Sequence, residues 1–222
     1  MNCARPLDLF FTKPSTTFGF VVESVQRDVF GSSIGVHMGV IVDRTVLDLP
    51  QLVPGELYVM ESTYYTEYDK FIDVDVVTGT VKNGFQIVRL SDITRSTICS
   101  GGKAFIATLT NNPIDDASMR EFLRAQVTSF YYKYKDYGYQ LNPIYMLSAV
   151  FPSFVPIRDK YYCDRNNNMF CSQLVCMLYQ RLHIINEWLP NNPEVAPEVI
   201  LRLPRLFDCF YEIMISSSPR LR

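Results

Sequence analysis

The residues best placed to do chemistry are one cysteine at a helix start and one histidine far upstream of it. In the run Asn168-Met-Phe-Cys-Ser-Gln-Leu-Val-Cys-Met-Leu-Tyr-Gln-Arg-Leu182, the residues Phe170, Leu174, Leu178 and Leu182 recur at i, i+4. That stripe is the apolar face of an amphipathic helix, and Asn166 to Asn168 supply N-cap side chains, so a helix is expected from near Met169. Cys171 then falls in the first turn. Free backbone N–H groups and the positive end of the helix dipole favour a thiolate at such a position, and the thiolate is the nucleophilic form.

A thiol nucleophile needs a base, and the chain has two histidines, His37 and His183. His183 lies twelve residues beyond Cys171 on the same expected helix, about 18 Å away at the rise of an α-helix, so it cannot take that proton. His37 belongs to an expected strand, Ile34 to Val42. Alternation puts Ile34, Val36, Met38, Val40 and Val42 on one face, and Gly35, His37, Gly39 and Ile41 on the other. The two flanking glycines leave room beside the imidazole for another element or a ligand. If the strand ends Val42 and Glu56 pair across the loop of an antiparallel hairpin, Glu61 stands directly opposite His37, with Cβ atoms about 5 Å apart. A carboxylate there would hold one ring nitrogen while the other faces the thiol. Each residue alone has an ordinary reading: a helical cysteine is usually packing, a strand histidine is usually structural, and Glu61 alone is a solvated strand end. Their combination is what points to chemistry. Cys176, mid-helix, fits the core, and His183 suits the helix C-terminus, where a cation complements the dipole.

The elements that must position these groups are mostly short strands. Leu7 to Phe11, Ile34 to Val42, Glu56 to Thr63, Phe71 to Val77, Gly84 to Leu90 and Ala104 to Thr110 read as strands, with a loop over 43 to 55 containing Pro50, Pro54 and Gly55. About five of them are expected to form an antiparallel sheet. Phe18 to Phe30 has a helix-compatible pattern. Asp115 or Asp116 can cap a helix that turns Met119, Phe122, Leu123, Val127 and Phe130 toward a core. A tyrosine-rich connection from Tyr131 to Tyr162 leads to the Cys171 helix, a loop over 191 to 197 to a last apolar segment, Val199 to Met214, and residues 216 to 222 read as a frayed tail.

Composition bounds the function. The 222 residues, 48% hydrophobic and 14% aromatic, suffice for one domain with a full core. A net charge of -2 gives no basic excess, so nucleic acid is not an expected partner. No run reaches the roughly 18 apolar residues of a membrane span, and residues 1 to 11 are too short an apolar stretch for a signal peptide. A soluble, cytoplasmic protein is expected. Its six cysteines, at 3, 99, 163, 171, 176 and 209, are then expected to be reduced. Zinc-site, P-loop, dinucleotide-binding and serine-elbow spacings are absent from the sequence, and neither metal nor organic cofactor is implied.

These motifs resemble those of circularly permuted papain-fold thiol hydrolases of the NlpC type, which include bacterial lipoprotein-like hydrolases, lecithin retinol acyltransferase relatives and poxviral members. Ser33-Ile-Gly-Val-His-Met-Gly-Val-Ile-Val42 is similar to the family's histidine strand, and Leu57-Tyr-Val-Met-Glu-Ser-Thr63 to the strand bearing its acid. Gly84-Phe-Gln-Ile-Val-Arg-Leu90 is similar to the next strand, Met169-Phe-Cys-Ser-Gln-Leu-Val175 to the nucleophile motif, and Leu7-Asp-Leu-Phe10 to the opening strand without its glycine. The resemblance implies an α+β, permuted papain-like fold over residues 1 to 222, with 92 to 160 insertion-like and the nucleophile at a helix N-terminus. It also implies Cys171 as nucleophile, His37 as base and Glu61 as orienting acid of a hydrolase or acyltransferase. The substrate would be a peptide, a peptidoglycan-like polymer or a lipid acyl group, and a viral member would work in the host cytoplasm or the virion. Gln173 stands where the family often has glutamate. The rival expectation is a catalytically silent papain-like binding module, or a virion-packaged interaction protein. Nothing in the sequence fixes the oligomeric state.

Overall fold

The computed structural model describes residues 4–13, 35, 37–67, 69, 71–141, 167–185 and 197–214. Eight strands and four helices lie among them. In chain order they are β1 (Leu9–Lys13), β2 (His37–Val42), β3 (Tyr58–Thr63), β4 (Gly84–Arg89), α1 (Leu90–Cys99) and β5 (Lys103–Leu109). After two 3₁₀ turns come α2 (Arg120–Tyr134), β6 (Gly138–Tyr139), β7 (Asn168–Met169), α3 (Cys171–Arg181), α4 (Pro197–Leu201) and β8 (Phe207–Ile213). The fold is α+β. Six strands make one antiparallel sheet in the order β4-β3-β2-β1-β5-β8, one strand more than expected, and β6 and β7 form a separate parallel pair. The sixth strand comes from the last apolar segment, which divides into α4 and β8 rather than continuing as one element.

Alternation along the strands gives the sheet two apolar faces. Leu9, Phe11, Met38, Val40, Val42, Met60 and Ile87 pack into the larger core with residues of α2 and α3. Phe10, Ile41, Val59, Val88 and Ile106 form a smaller cluster with Ile93 of α1. A strand buried on both sides reads as a continuous apolar run, which is why β1 and β2 are so uniformly hydrophobic. The segment expected to be insertion-like contributes directly to this architecture: β5 pairs with β1 on one side and β8 on the other, and α2 buries Leu123, Val127 and Phe130. Asp8, fully buried beside β1, accepts bonds from the backbone N–H groups of Leu109 and Arg5 and from the Asn112 amide, and so ties the sheet's centre to the turn after β5.

Three expectations are corrected. Residues 71 to 77 do not form a sheet strand: Asp75 makes an isolated bridge to Thr80, and its carboxylate accepts from Thr78 and from the Ile87 N–H. The local acceptor competes with strand pairing, as short acidic side chains commonly do. Asp116 caps a 3₁₀ turn, Ala117–Met119, from which α2 continues at Arg120, and Asn112 caps the turn before it. The expected helix over 18 to 30, the cap candidate Asn166 and the tail 216 to 222 lie outside the described residues.

The third correction is the register between β2 and β3. Val42 pairs with Tyr58, not Glu56, because Glu56 still belongs to the turn at Pro54-Gly55, where its N–H donates to the Val53 carbonyl. Glu61 therefore sits opposite Gly39 rather than His37. A shift of two residues preserves the face. A Cβ at position 39 would lie 2.5 Å from Val59 Cγ1, 2.8 Å from the Met60 carbonyl oxygen and 3.0 Å from Glu61 Cβ. The room left by Gly39 is thus filled by its own neighbouring strand. Gly39→Ala is expected to destabilise the fold by about 2 kcal/mol, since backbone as well as side chains must yield, and a lowered urea midpoint would register it.

Candidate active site

His37 opens β2, and Glu61 reaches it diagonally from its place opposite Gly39. The Glu61 Oε2 lies 2.6 Å from His37 Nε2. Cross-strand diagonals are within reach of long side chains, so the missing side chain at 39 lets the carboxylate lean toward the imidazole. Glu61 is fully buried and His37 partly buried. The Cys171 side chain lies close enough to the imidazole to raise its pKa. With Nε2 engaged by the carboxylate, Nδ1 is the ring nitrogen left for the sulfur.

Cys171 is the first residue of α3, so its side chain stands at the helix N-terminus, as the spacing predicts. The cap differs from expectation: Phe170, not an asparagine, precedes the helix, and its backbone N–H donates to Gln173 Oε1 at 3.4 Å. A glutamine at the third helical position thereby serves one of the backbone donors that a helix start leaves open. The stripe Leu174, Leu178 and Leu182 is buried, and Cys176 packs with it, its thiol pushed up to about 12 by burial. α3 packs against β2 and β3, which fixes its tip beside the histidine strand. His183 lies beyond the other end of α3, stacked on Phe122 with ring centroids 6.5 Å apart. It takes no part in the cluster.

Electrostatics favour the charged imidazole. Burial acts to lower the His37 pKa, but the Glu61 charge and the Cys171 sulfur outweigh it and raise it from 6.5 to about 10. The carboxylate and the sulfur together favour the imidazolium over the neutral ring.

Several groups at this site go beyond the sequence reading. Gln86, opposite Glu61 on β4, donates from Nε2 to Glu61 Oε1 at 2.7 Å and to the Tyr65 hydroxyl at 3.1 Å. Tyr65 in turn contacts Asp73, whose carboxylate accepts from Ser96 of α1 at 2.8 Å. Burial, then the nearby Glu61 charge, push the Asp73 carboxyl up to about 6. Tyr139 lies near the sulfur: burial, then the Cys171 charge, raise its phenol well above the usual range, and its ring meets Phe170 edge-on at 5.9 Å. The β6-β7 ladder places it, since Tyr139 pairs with Met169 two residues before Cys171. One signal is legible in the sequence, a polar Gln86 inside the apolar run of β4; Tyr139 is hidden among many tyrosines.

No protein-family profile matches the chain. No curated protein matches it either. Among solved structures, the chain is similar to a crystal structure described as the metalloprotein yiiX from Escherichia coli O157:H7, DUF1105. The TM-score is 0.50 over 95% of this chain and 96% of that one, at 11% identity. At so low an identity the likeness shows the fold alone. Among the described residues, no group of three or more His, Cys, Asp or Glu side chains is arranged to hold a metal ion.

Proposed function

We propose that the protein is a cysteine-dependent hydrolase or acyltransferase that opens an amide or ester bond through a thioacyl intermediate. The observation that carries this reading is the His37 imidazole, bonded to Glu61 at 2.6 Å and close enough to Cys171, at the tip of α3, for the sulfur to raise its pKa. The Cys171 thiolate attacks the carbonyl carbon, and its electron pair forms the C–S bond while the carbonyl π pair moves to oxygen. Backbone N–H groups in the first turn of α3 stabilise that oxyanion. As the oxyanion collapses, the bond to the amine or alcohol breaks and the His37 imidazolium supplies the leaving group's proton. Water, or an acceptor hydroxyl or amine, then gives a proton to neutral His37 and attacks the thioester, expelling the thiolate. Glu61 orients the ring and stabilises its charged form.

The chain order of histidine strand, acid strand and cysteine helix supports a permuted papain-like fold of the NlpC type. Peptide, peptidoglycan-like and lipid acyl groups all fit this chemistry.

The test is site-resolved alkylation by a small electrophile, iodoacetamide, at neutral pH. Exposure alone orders the thiols Cys99, Cys209, Cys171, because Cys99 is exposed, Cys209 half-buried and Cys171 only 4% accessible. The proposed function reverses that order. Cys171 is expected to react at least tenfold faster than either, and to lose the advantage in His37→Ala. Reaction in the order of exposure would sink the reading.

A further inference from the structure

The carboxylate that grips the imidazole has its own clamp. Glu61 is buried completely, and a buried carboxylate is tolerated only where its oxygens are met by donors. Its two oxygens are shared out: Oε2 to His37 at 2.6 Å and Oε1 to the Gln86 amide at 2.7 Å. Gln86 is also fully buried. Both amide protons are spent, one on Glu61 and one on the Tyr65 hydroxyl at 3.1 Å, while the Gln86 Oε1 has no hydrogen-bond partner among the described residues. Turning the amide over would set its oxygen against the carboxylate, so the charge of Glu61 dictates this orientation even though a buried carbonyl goes unmet. A side chain that served only packing would have no reason to accept that penalty. Tyr65 completes the clamp from behind, its hydroxyl receiving both the Gln86 amide and the Asp73 backbone N–H.

We propose that Gln86, held by Tyr65, is a positioning residue that fixes the Glu61 carboxylate against His37, so that the orienting group of the site is a chain of three side chains rather than one acid. This rests on the reading of Cys171 and His37 as nucleophile and base. The Gln86 amide is bonded to Glu61 and Tyr65, not to the sulfur or the imidazole; it acts through Glu61. Without it, the carboxylate is free to turn off the ring, which weakens its hold on the imidazolium.

The experiment reads the imidazole directly and needs no substrate. With two histidines in the chain, ¹⁵N-imidazole spectra hold two sets of signals, and His183→Asn assigns them. In the wild-type protein His37 is expected to titrate near pH 10 and to show a low-field N–H proton from the bond to Glu61. In Gln86→Met, which keeps side-chain length and burial without the amide, the midpoint is expected to fall by about one pH unit and the low-field proton to be lost. Tyr65→Phe, lacking one hydroxyl, is expected to shift the midpoint in the same direction by less, and it carries the test if Gln86→Met does not fold. A folded variant of either kind with an unchanged or raised midpoint overturns the role of Gln86. If instead wild-type His37 titrates near 6.5, or Cys171→Ala leaves its midpoint untouched, the base-and-nucleophile reading fails and the clamp falls with it. A midpoint that responds to Cys171→Ala but not to Gln86→Met removes the clamp alone.

Discussion

Cys171→Ala is expected to abolish acyl capture altogether while leaving a folded protein. Intact-mass spectrometry of the purified protein after incubation with cell extract should show an added acyl mass on the wild-type chain and none on the variant. Turnover of any substrate so identified should fall by roughly a thousandfold or more, since removal of a covalent nucleophile leaves only binding and oxyanion stabilisation. Stability should change little: the loss is one sulfur from a site that is 4% exposed, at a cost of about 1 kcal/mol. The mass of the trapped fragment would also separate peptide from lipid acyl donors. An acyl adduct on the alanine variant, or turnover within tenfold of wild type, would rule out Cys171 as the nucleophile.

The second large effect is on pH dependence. The His37 pKa is raised in the folded protein from 6.5 to about 10, the Glu61 and Cys171 contributions outweighing burial. A group whose folded pKa is raised binds its proton more tightly in the native state, so its stabilisation is complete below the unfolded value and disappears as pH rises through the folded one. Wild-type stability, relative to a His37→Gln variant, is therefore expected to be greatest below about pH 6.5 and to decline toward pH 10, by a total on the order of a few kcal/mol. Urea unfolding of both proteins at half-unit intervals measures the difference, since titrations of groups remote from His37 cancel between them and what is left belongs to the cluster of His37, Glu61 and Cys171. The same pairing predicts a wide activity plateau whose alkaline limb lies near pH 10. A stability difference that stays flat between pH 6.5 and 10 would contradict the ion pair.

Much of this site is legible in the sequence because two simple periods govern it. The i, i+4 leucines locate α3 and put Cys171 at its start, and strand alternation puts His37 and Gly39 on one face. The acid emerges through a partly mistaken pairing. Counting from Glu56 sets Glu61 against His37, but the Pro54-Gly55 turn delays the strand to Tyr58, and the correct partner of Glu61 is Gly39. The identification survives because a two-residue offset keeps the face, and because a glutamate is long enough to span the diagonal. What stays hidden is long-range. Gln86 meets Glu61 only because β4 joins β3, and Tyr139 approaches Cys171 only because β6 pairs with β7, about thirty residues later in the chain. The strand pattern around Asp75 misleads because its carboxylate takes the Thr78 N–H and the Ile87 N–H of β4, so the segment's link to β4 runs through a side chain and the Val76 N–H to Ile87 carbonyl bond rather than a strand ladder.

Glu61 also bears on how the chain avoids misfolding. Were β3 to slide one position along β2, the carboxylate would swing into the oily layer beneath α3, where Met38, Val40 and Leu174 offer it no donor. Such a competitor would bury a carboxyl group with no donor to meet it, at a penalty that is a large part of a typical protein's margin of stability. The acid that steadies the imidazole thus doubles as a sentinel during assembly, disfavouring the near-miss hairpins that a row of interchangeable valines and isoleucines would otherwise permit.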